Sequence, residues 1–344
     1  MSFPVFPSAS TSPIVSHALA GILLSHAAHY GAAIALYRLT YELIPSNNDT
    51  KRRIAFIASC LHILSPAGLF LSAPYAESTF AALNFWGMYC YLRSSKLSST
   101  EYDGAINAAF GMFAAGASFG AASAIRGNGI LSGLVLAWDA LVCLPSLPNI
   151  IQQRQWPCLI RFIGILSGGF ILACLYSIIQ TSAYLEFCTA GNSRPWCNSL
   201  YPSIYTWVQK HYWGVGFLKY WTLSNLPLFL LATPMLILLL ATGYLALAKT
   251  DLLSSVEKTA PAEVATFEQT LARMGLPQFI LALLALTNFH VQIVNRISSG
   301  YPVWYIVLAI AMNTDCRKVE WVVRGAIMYA LVQGALYASF MPPA

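Results

Sequence analysis

Charge is the scarcest property of this sequence. Asp, Glu, Lys and Arg make up 9% of its 344 residues, against about 25% in a soluble globular domain. With 57% hydrophobic residues and a mean hydropathy of +0.61, that deficit excludes an ordinary soluble enzyme. The apolar runs show no period-2 alternation, which excludes a membrane barrel. What remains is an all-α, polytopic helical membrane protein in one membrane domain. P-loop, GxSxG, HExxH and dinucleotide fingerprints are all missing. The eight Cys stand singly, with no CxxC pair and no His/Cys cluster at metal spacing. Neither a metal nor a cofactor is expected. The net charge of +6 is spread over short connections, as topology charge is, so no nucleic-acid partner is expected. The Pro/Ser-rich lead SFPVFPSASTSP lacks a basic n-region, which argues against a signal peptide. No lipidation or retention motif stands at either end.

What the sequence does have is spanning runs of about 20 apolar residues. Candidates lie at 14–37, 54–72, 75–92, 104–125, 128–145, 158–184, 226–248, 277–294, 302–313 and 321–340, nine or ten spans depending on the short ninth. Pro66 and Pro74 predict broken or kinked helices around a cavity. Gly111, Gly116 and Gly120 suit close helix packing. If the runs alternate in direction, Arg126, Arg194, Lys210, Lys219 and Arg296 share one side, and the other 14 of the 19 basic residues share the opposite side. The positive-inside rule makes the crowded side cytosolic, and the sparse side faces a lumen or the exterior. Asn48-Asp49-Thr50, the one N-glycosylation sequon, then falls on the cytosolic side. The mixed-charge segment 249–276 reads as a cytosolic linker.

The 28 residues from 194 to 221 hold four of the nine Trp and no carboxylate. They dominate the connection at 185–225, which lies between two long apolar runs on the sparse side. Amphipathic rings and a few cations suit a folded element at the bilayer interface, where rings face sugars and cations meet lipid phosphate. An anchoring amphipathic helix is the alternative. Cys188 and Cys197 flank its polar part. They pair if this side is oxidising and are free thiols otherwise.

On the sparse side only Glu77 and Glu186 are acidic. Glu77, at the start of an apolar helix, is either a dipole-favoured capping carboxylate or a base and hydroxyl-binding group. Arg126, in Arg126-Gly127-Asn128-Gly129, is either a phosphate clamp with backbone donors beside it or a snorkelling helix end. His290, Gln292 and Arg296 form a second polar cluster, for sugar or phosphate contact or for anchoring. Trp138-Asp139 lies at the opposite end and reads as non-catalytic. His17, His26 and His29 read as packing rather than metal ligands.

These stretches resemble the GPI mannosyltransferase II (PIG-V) family, its fungal members above all. The resemblance is carried by Pro195-Trp196-Cys197, Pro202-Ser203-Ile204-Tyr205, Tyr212-Trp213-Gly214 and Lys219-Tyr220-Trp221, by Pro74-Tyr75-Ala76-Glu77-Ser78 and Arg126-Gly127-Asn128-Gly129, and by the run from His290 to Pro302. It implies a GT-C glycosyltransferase-like fold in the endoplasmic reticulum membrane. The implied reaction is transfer of the second mannose, in α-1,6 linkage, from dolichyl-phosphate mannose to the GPI-anchor precursor. It also implies a small accessory membrane subunit. Glu77 is the catalytic candidate. The substrate-binding candidates are Arg126, Asn128, Trp196, Tyr205, Lys210, Tyr212, Trp213, Lys219, His290, Gln292 and Arg296. Family members carry an earlier span and a first luminal loop with a Trp-Asp pair, where GT-C enzymes place their catalytic acid. The resemblance starts after that loop, so an impaired enzyme is expected. A non-catalytic membrane subunit and a lipid-linked solute transporter are the rival readings.

Overall fold

The computed structural model describes residues 13–98, 100–189, 194–200, 202–250, 252–253, 260–314 and 316–339. The Pro/Ser-rich lead and residues 254–259 of the expected linker lie outside them. Among the described residues the chain is helical, without strands, in the order α1 Pro13–Leu43, α2 Asn48–Ile63, α3 Glu77–Lys96, α4 Tyr102–Ile125, α5 Leu134–Cys143, α6 Leu147–Gln152, α7 Trp156–Cys188, α8 Ile204–His211, α9 Leu226–Leu247, α10 Pro261–Thr287, α11 Val294–Ile297, α12 Val303–Thr314 and α13 Cys316–Ala338.

Among the described residues, seven stretches are long and apolar enough to cross a membrane. They are α1, α4, α7, α9, α10, most of α13, and the composite Gly127–Gln152 that contains α5 and α6. The other three expected spans are met differently. Residues 54–72 divide into the 16-residue α2 and a 3-10 turn at Gly68–Leu71. Residues 75–92 become α3, with Arg93 and Lys96 in its last turn. The 302–313 run becomes the 12-residue α12, whose residues 303 to 310 are all buried in protein, so its apolarity is that of a core and not of a lipid face.

Close packing of α4 on α7 follows from their small residues. A Cβ on Gly116 would overlap the backbone of Gly168, and one on Gly164 would meet Ala109. Lipid is as apolar as leucine, so helices in a membrane gain from such close approach rather than from burial alone. Gly116→Leu is therefore expected to push α4 from α7 and cost about 1–3 kcal/mol or more, seen as a lowered melting temperature in detergent. Gly31→Leu, with nothing near its Cβ, is the matched control.

The run expected to span 277–294 does not do so. α10 ends at Thr287, and residues 288–302 fold back as short turns at Val291–Ile293, Val294–Ile297 and Ser298–Gly300. Its other end lies inside the segment read as a linker, since α10 begins at Pro261. Irregular backbone at membrane depth persists only where protein satisfies it. Asn84 Nδ2 donates to the Gly300 carbonyl (2.7 Å) and Trp304 Nε1 to that of Ser298 (3.0 Å). Tyr305 Oη donates to the Ser299 carbonyl (3.2 Å). Gly300 presses on Phe80 where no side chain would fit. This folded-back segment carries Arg296 inward.

Candidate functional site

Three charged residues far apart in sequence meet at one end of the bundle. The preceding 3-10 turn ends at Leu71, and α3 starts at Glu77, where a carboxylate meets the positive end of the helix dipole. Arg126 is the extended residue that caps α4, and its carbonyl accepts from Gly129 N–H (2.8 Å), closing the turn. Arg296 is supplied by α11. Glu77 Oε1 accepts from Arg126 Nη1 at 2.6 Å, and from Arg296 Nε at 2.8 Å and Nη2 at 2.6 Å. The Arg296 guanidinium also lies 4.2 Å from the Phe70 ring centre and 4.9 Å from that of Tyr75, a cation–π seat. One carboxylate against two guanidinium groups leaves one positive charge in surplus.

Arg126 lines two adjoining cavities, of about 60 Å³ and 370 Å³. Asn128, Tyr205, Gln209, Trp213 and Ile293 also line both. His290 and Phe289 close the smaller one, and Tyr176 and Gln180 of α7 line the larger. Among the described residues no carboxylate lines either cavity. Glu77 is 1% exposed and stands behind Arg126. In the structure Glu77 Oε1 accepts from two guanidinium groups while Oε2 is buried without a partner, and the residue lines neither cavity, where a base would stand.

The aromatic segment covers this end. Ser203 caps α8, accepting from Thr206 N–H (3.3 Å) and donating to Gln180 Oε1 (3.1 Å). The segment is pinned to the end of α10, where carbonyls lack helical partners. Leu218 N–H donates to the Thr287 carbonyl (2.7 Å), and Trp221 Nε1 donates to that of Leu286 (2.8 Å). Trp213 and Tyr220 stand on His290, with ring centres 5.5 Å and 4.6 Å away. Desolvation lowers the His290 pKa and raises that of Tyr205. Both are therefore neutral near pH 7, an imidazole and a phenol able to hydrogen-bond a sugar.

Not every candidate reaches the cavities. Gln292 accepts from Tyr220 Oη (3.1 Å) and so positions a ring. Trp196 is buried beside the Cys188–Cys197 disulfide, edge-on to Tyr184 at 6.5 Å. Tyr212 packs on Trp207 and His211, at 5.3 Å and 5.0 Å. Lys210 and Lys219 are exposed and line neither cavity. None of these five lines either cavity; each has a place in the cap, under it or on its surface. Sequence reasoning missed Tyr176, Gln180 and Gln209, and took Tyr301 only as part of the run from His290 to Pro302. Tyr301 receives Asn128 Nδ2 (3.2 Å) and donates to the Asn128 carbonyl (2.9 Å), which holds the Arg126 turn in place.

A family model described as Mannosyltransferase (PIG-V) matches residues 14–344. Curated proteins named GPI mannosyltransferase 2 are similar along nearly the whole chain. The one from Aspergillus oryzae is 42% identical over 338 residues, 95% of this chain and 74% of the relative. That from Gibberella zeae is 41% identical over 331 residues, 95% and 75%. That from Yarrowia lipolytica is 32% identical over 330 residues, 95% and 76%. No solved structure matches the chain. With a family match over all but its first 13 residues, this polytopic membrane protein belongs to the PIG-V family of mannosyltransferases.

Proposed function

We propose that the chain transfers the second mannose, in α-1,6 linkage, from dolichyl-phosphate mannose to the GPI-anchor precursor, on the luminal side of the endoplasmic reticulum membrane. The observation that carries this reading is the Arg126–Glu77–Arg296 clamp at the rim of cavities walled by aromatic and neutral polar residues. Breaking the sugar–phosphate bond throws negative charge onto the departing lipid phosphate. A guanidinium held ready there stabilises that charge as it forms. Arg126 is the clamp member that faces the cavities, so the phosphate belongs beside it. Tyr205 and Trp213 offer ring faces and hydroxyl or indole donors to the sugars, and Asn128, Gln209 and His290 supply neutral hydrogen bonds. Glu77 keeps the two arginines together and is a positioning residue in this reading.

The luminal placement is supported by the basic residues, five on this side against fourteen on the other of nineteen, and by the Cys188–Cys197 disulfide, a bond of oxidising compartments. Asn48, at the opposite end, is expected to stay unglycosylated in cells, which a mobility shift with glycosidase checks. A small accessory membrane subunit is a further proposed partner, tested by co-purification from native membranes.

The main test is transfer by microsomes from cells that lack their own second-mannose enzyme. Expressing this chain with radiolabelled dolichyl-phosphate mannose should convert the one-mannose GPI precursor to the two-mannose product. Persistence of the one-mannose precursor with folded protein present would sink the proposal.

A further inference from the structure

The residues around Trp138-Asp139 find no use in mannose transfer, yet they build a second charged site at the other end of the bundle. Asp139 is 5% exposed. Its Oδ2 accepts from Tyr91 Oη at 2.9 Å, and its Oδ1 lies 2.9 Å from Arg273 Nε. Arg273 sits twelve residues into α10, and an ionisable residue so placed within a spanning helix is costly unless it has a function. Beside this pair stands Arg161. Its guanidinium donates to the Ser95 and Leu97 carbonyls, at 3.2 Å and 3.3 Å, at the end of α3. Asp139, Arg161 and Arg273 line one cavity of about 330 Å³, together with Ser146 and Cys143. Two guanidinium groups face one carboxylate, and that carboxylate is already paired. The cavity therefore carries a surplus positive charge.

This cavity adjoins an apolar one. Ile165 lines both it and a groove of about 370 Å³ between α5 and α7, walled by Leu134, Ala137, Ala140, Leu166 and Leu172. From Ile165 to Leu172 the groove follows α7 for about 10 Å at 1.5 Å per residue. Gly169 lies in its wall, and a Cβ there would meet nothing within 4 Å. The outer surface beside the charged cavity is apolar, with Leu141, Val142 and Leu144 all more than half exposed, as on a face turned to lipid. A cationic pocket at the membrane border, with an apolar groove beside it, matches one chemistry: a phosphate head group on an apolar tail.

We propose that this pocket and groove bind one anionic glycerophospholipid from the leaflet opposite the mannosyl-transfer site. The phosphate sits against Arg161 and Arg273, and one acyl chain lies along α5 and α7. Asp139 holds Arg273 in position and prevents a second anion from entering. The site stands independently of the donor and acceptor assigned above.

The test uses the full chain purified in detergent after incubation with phosphatidylcholine vesicles containing phosphatidylserine, with bound lipid counted by native mass spectrometry. Wild-type protein should retain about one phosphatidylserine in preference to phosphatidylcholine. Arg161→Gln removes the head-group charge without stranding a buried partner. It should lower retention about fivefold, the factor contributed by one basic residue near an anionic surface. Gly169→Leu fills the groove from open space and should lower retention of both lipids while leaving the melting temperature unchanged. Millimolar inorganic phosphate should not displace the lipid. The proposal is overturned if both variants retain lipid as wild type does, if phosphatidylcholine is held equally well, or if phosphate alone competes.

Discussion

Replacing Arg126 with alanine is expected to lower mannose transfer about 10²–10³-fold, the loss seen when one preorganised donor to a developing anion is removed. The clamp geometry makes this a loss of function rather than of fold. Without Arg126, Glu77 still receives Nε and Nη2 of Arg296, so its buried charge remains compensated. The cavities would lose the guanidinium that lines both of them, while Asn128 stays tied to Tyr301. Arg126→Lys should fall between alanine and wild type. An ammonium restores the charge but not the planar fork that can hold Glu77 and a phosphate at once. The measurement is initial rate at saturating donor, with the melting temperature followed alongside. A rate within about threefold of wild type, in a protein that melts normally, would remove Arg126 from the phosphate and with it the proposed site.

Individual members of the site were legible in the sequence because each is polar where its neighbours are apolar. Glu77, Arg126 and Arg296 stand out for that reason alone. Their meeting was not legible: Arg126 lies 49 residues from Glu77, and Arg296 lies 219 residues from it. No local period encodes such a contact, and only the turning back of residues 288–302 makes it. The same fold-back explains the failed span at 277–294. The apolar residues Phe289, Val291 and Ile293 suit a spanning helix, but in the structure they fill protein contacts. Tyr176 and Gln180 went unnoticed because they sit in α7, whose long apolar run reads as a membrane span and not as a cavity wall. Trp196, Lys210 and Lys219 misled in the opposite direction, since richness in rings and cations marks the cap as a whole and does not say which side chains turn inward. Six of the seven spanning stretches, all but α10, were read well because length and hydropathy are local quantities. The charged pocket around Asp139 was passed over because its partners, Tyr91 and Arg273, come from two other helices.

Glu77→Ala should destabilise the protein by about 3–5 kcal/mol, the cost of leaving buried charge without its partner. Arg126 and Arg296 would then face each other across the vacated carboxylate, each with a side chain only 14% exposed. Glu77→Gln keeps the volume and one acceptor oxygen but not the charge, and should lose less. The two roles considered for Glu77 separate cleanly in a double variant. If Glu77 is the clamp, Glu77→Ala/Arg296→Met relieves the repulsion, leaves an apolar side chain over Phe70 and Tyr75, and recovers much of the lost stability. The two changes would then be strongly non-additive, as expected for residues in direct contact. If Glu77 were instead the base, Glu77→Gln would melt as wild type does, transfer would fall 10²–10⁴-fold, and removing Arg296 would add its own cost independently. Thermal unfolding of wild type, Glu77→Ala, Glu77→Gln, Arg296→Met and the double variant in one detergent, with transfer rates measured beside it, distinguishes these outcomes. The saturated Oε1 and the absence of Glu77 from both cavity walls lead us to expect the first.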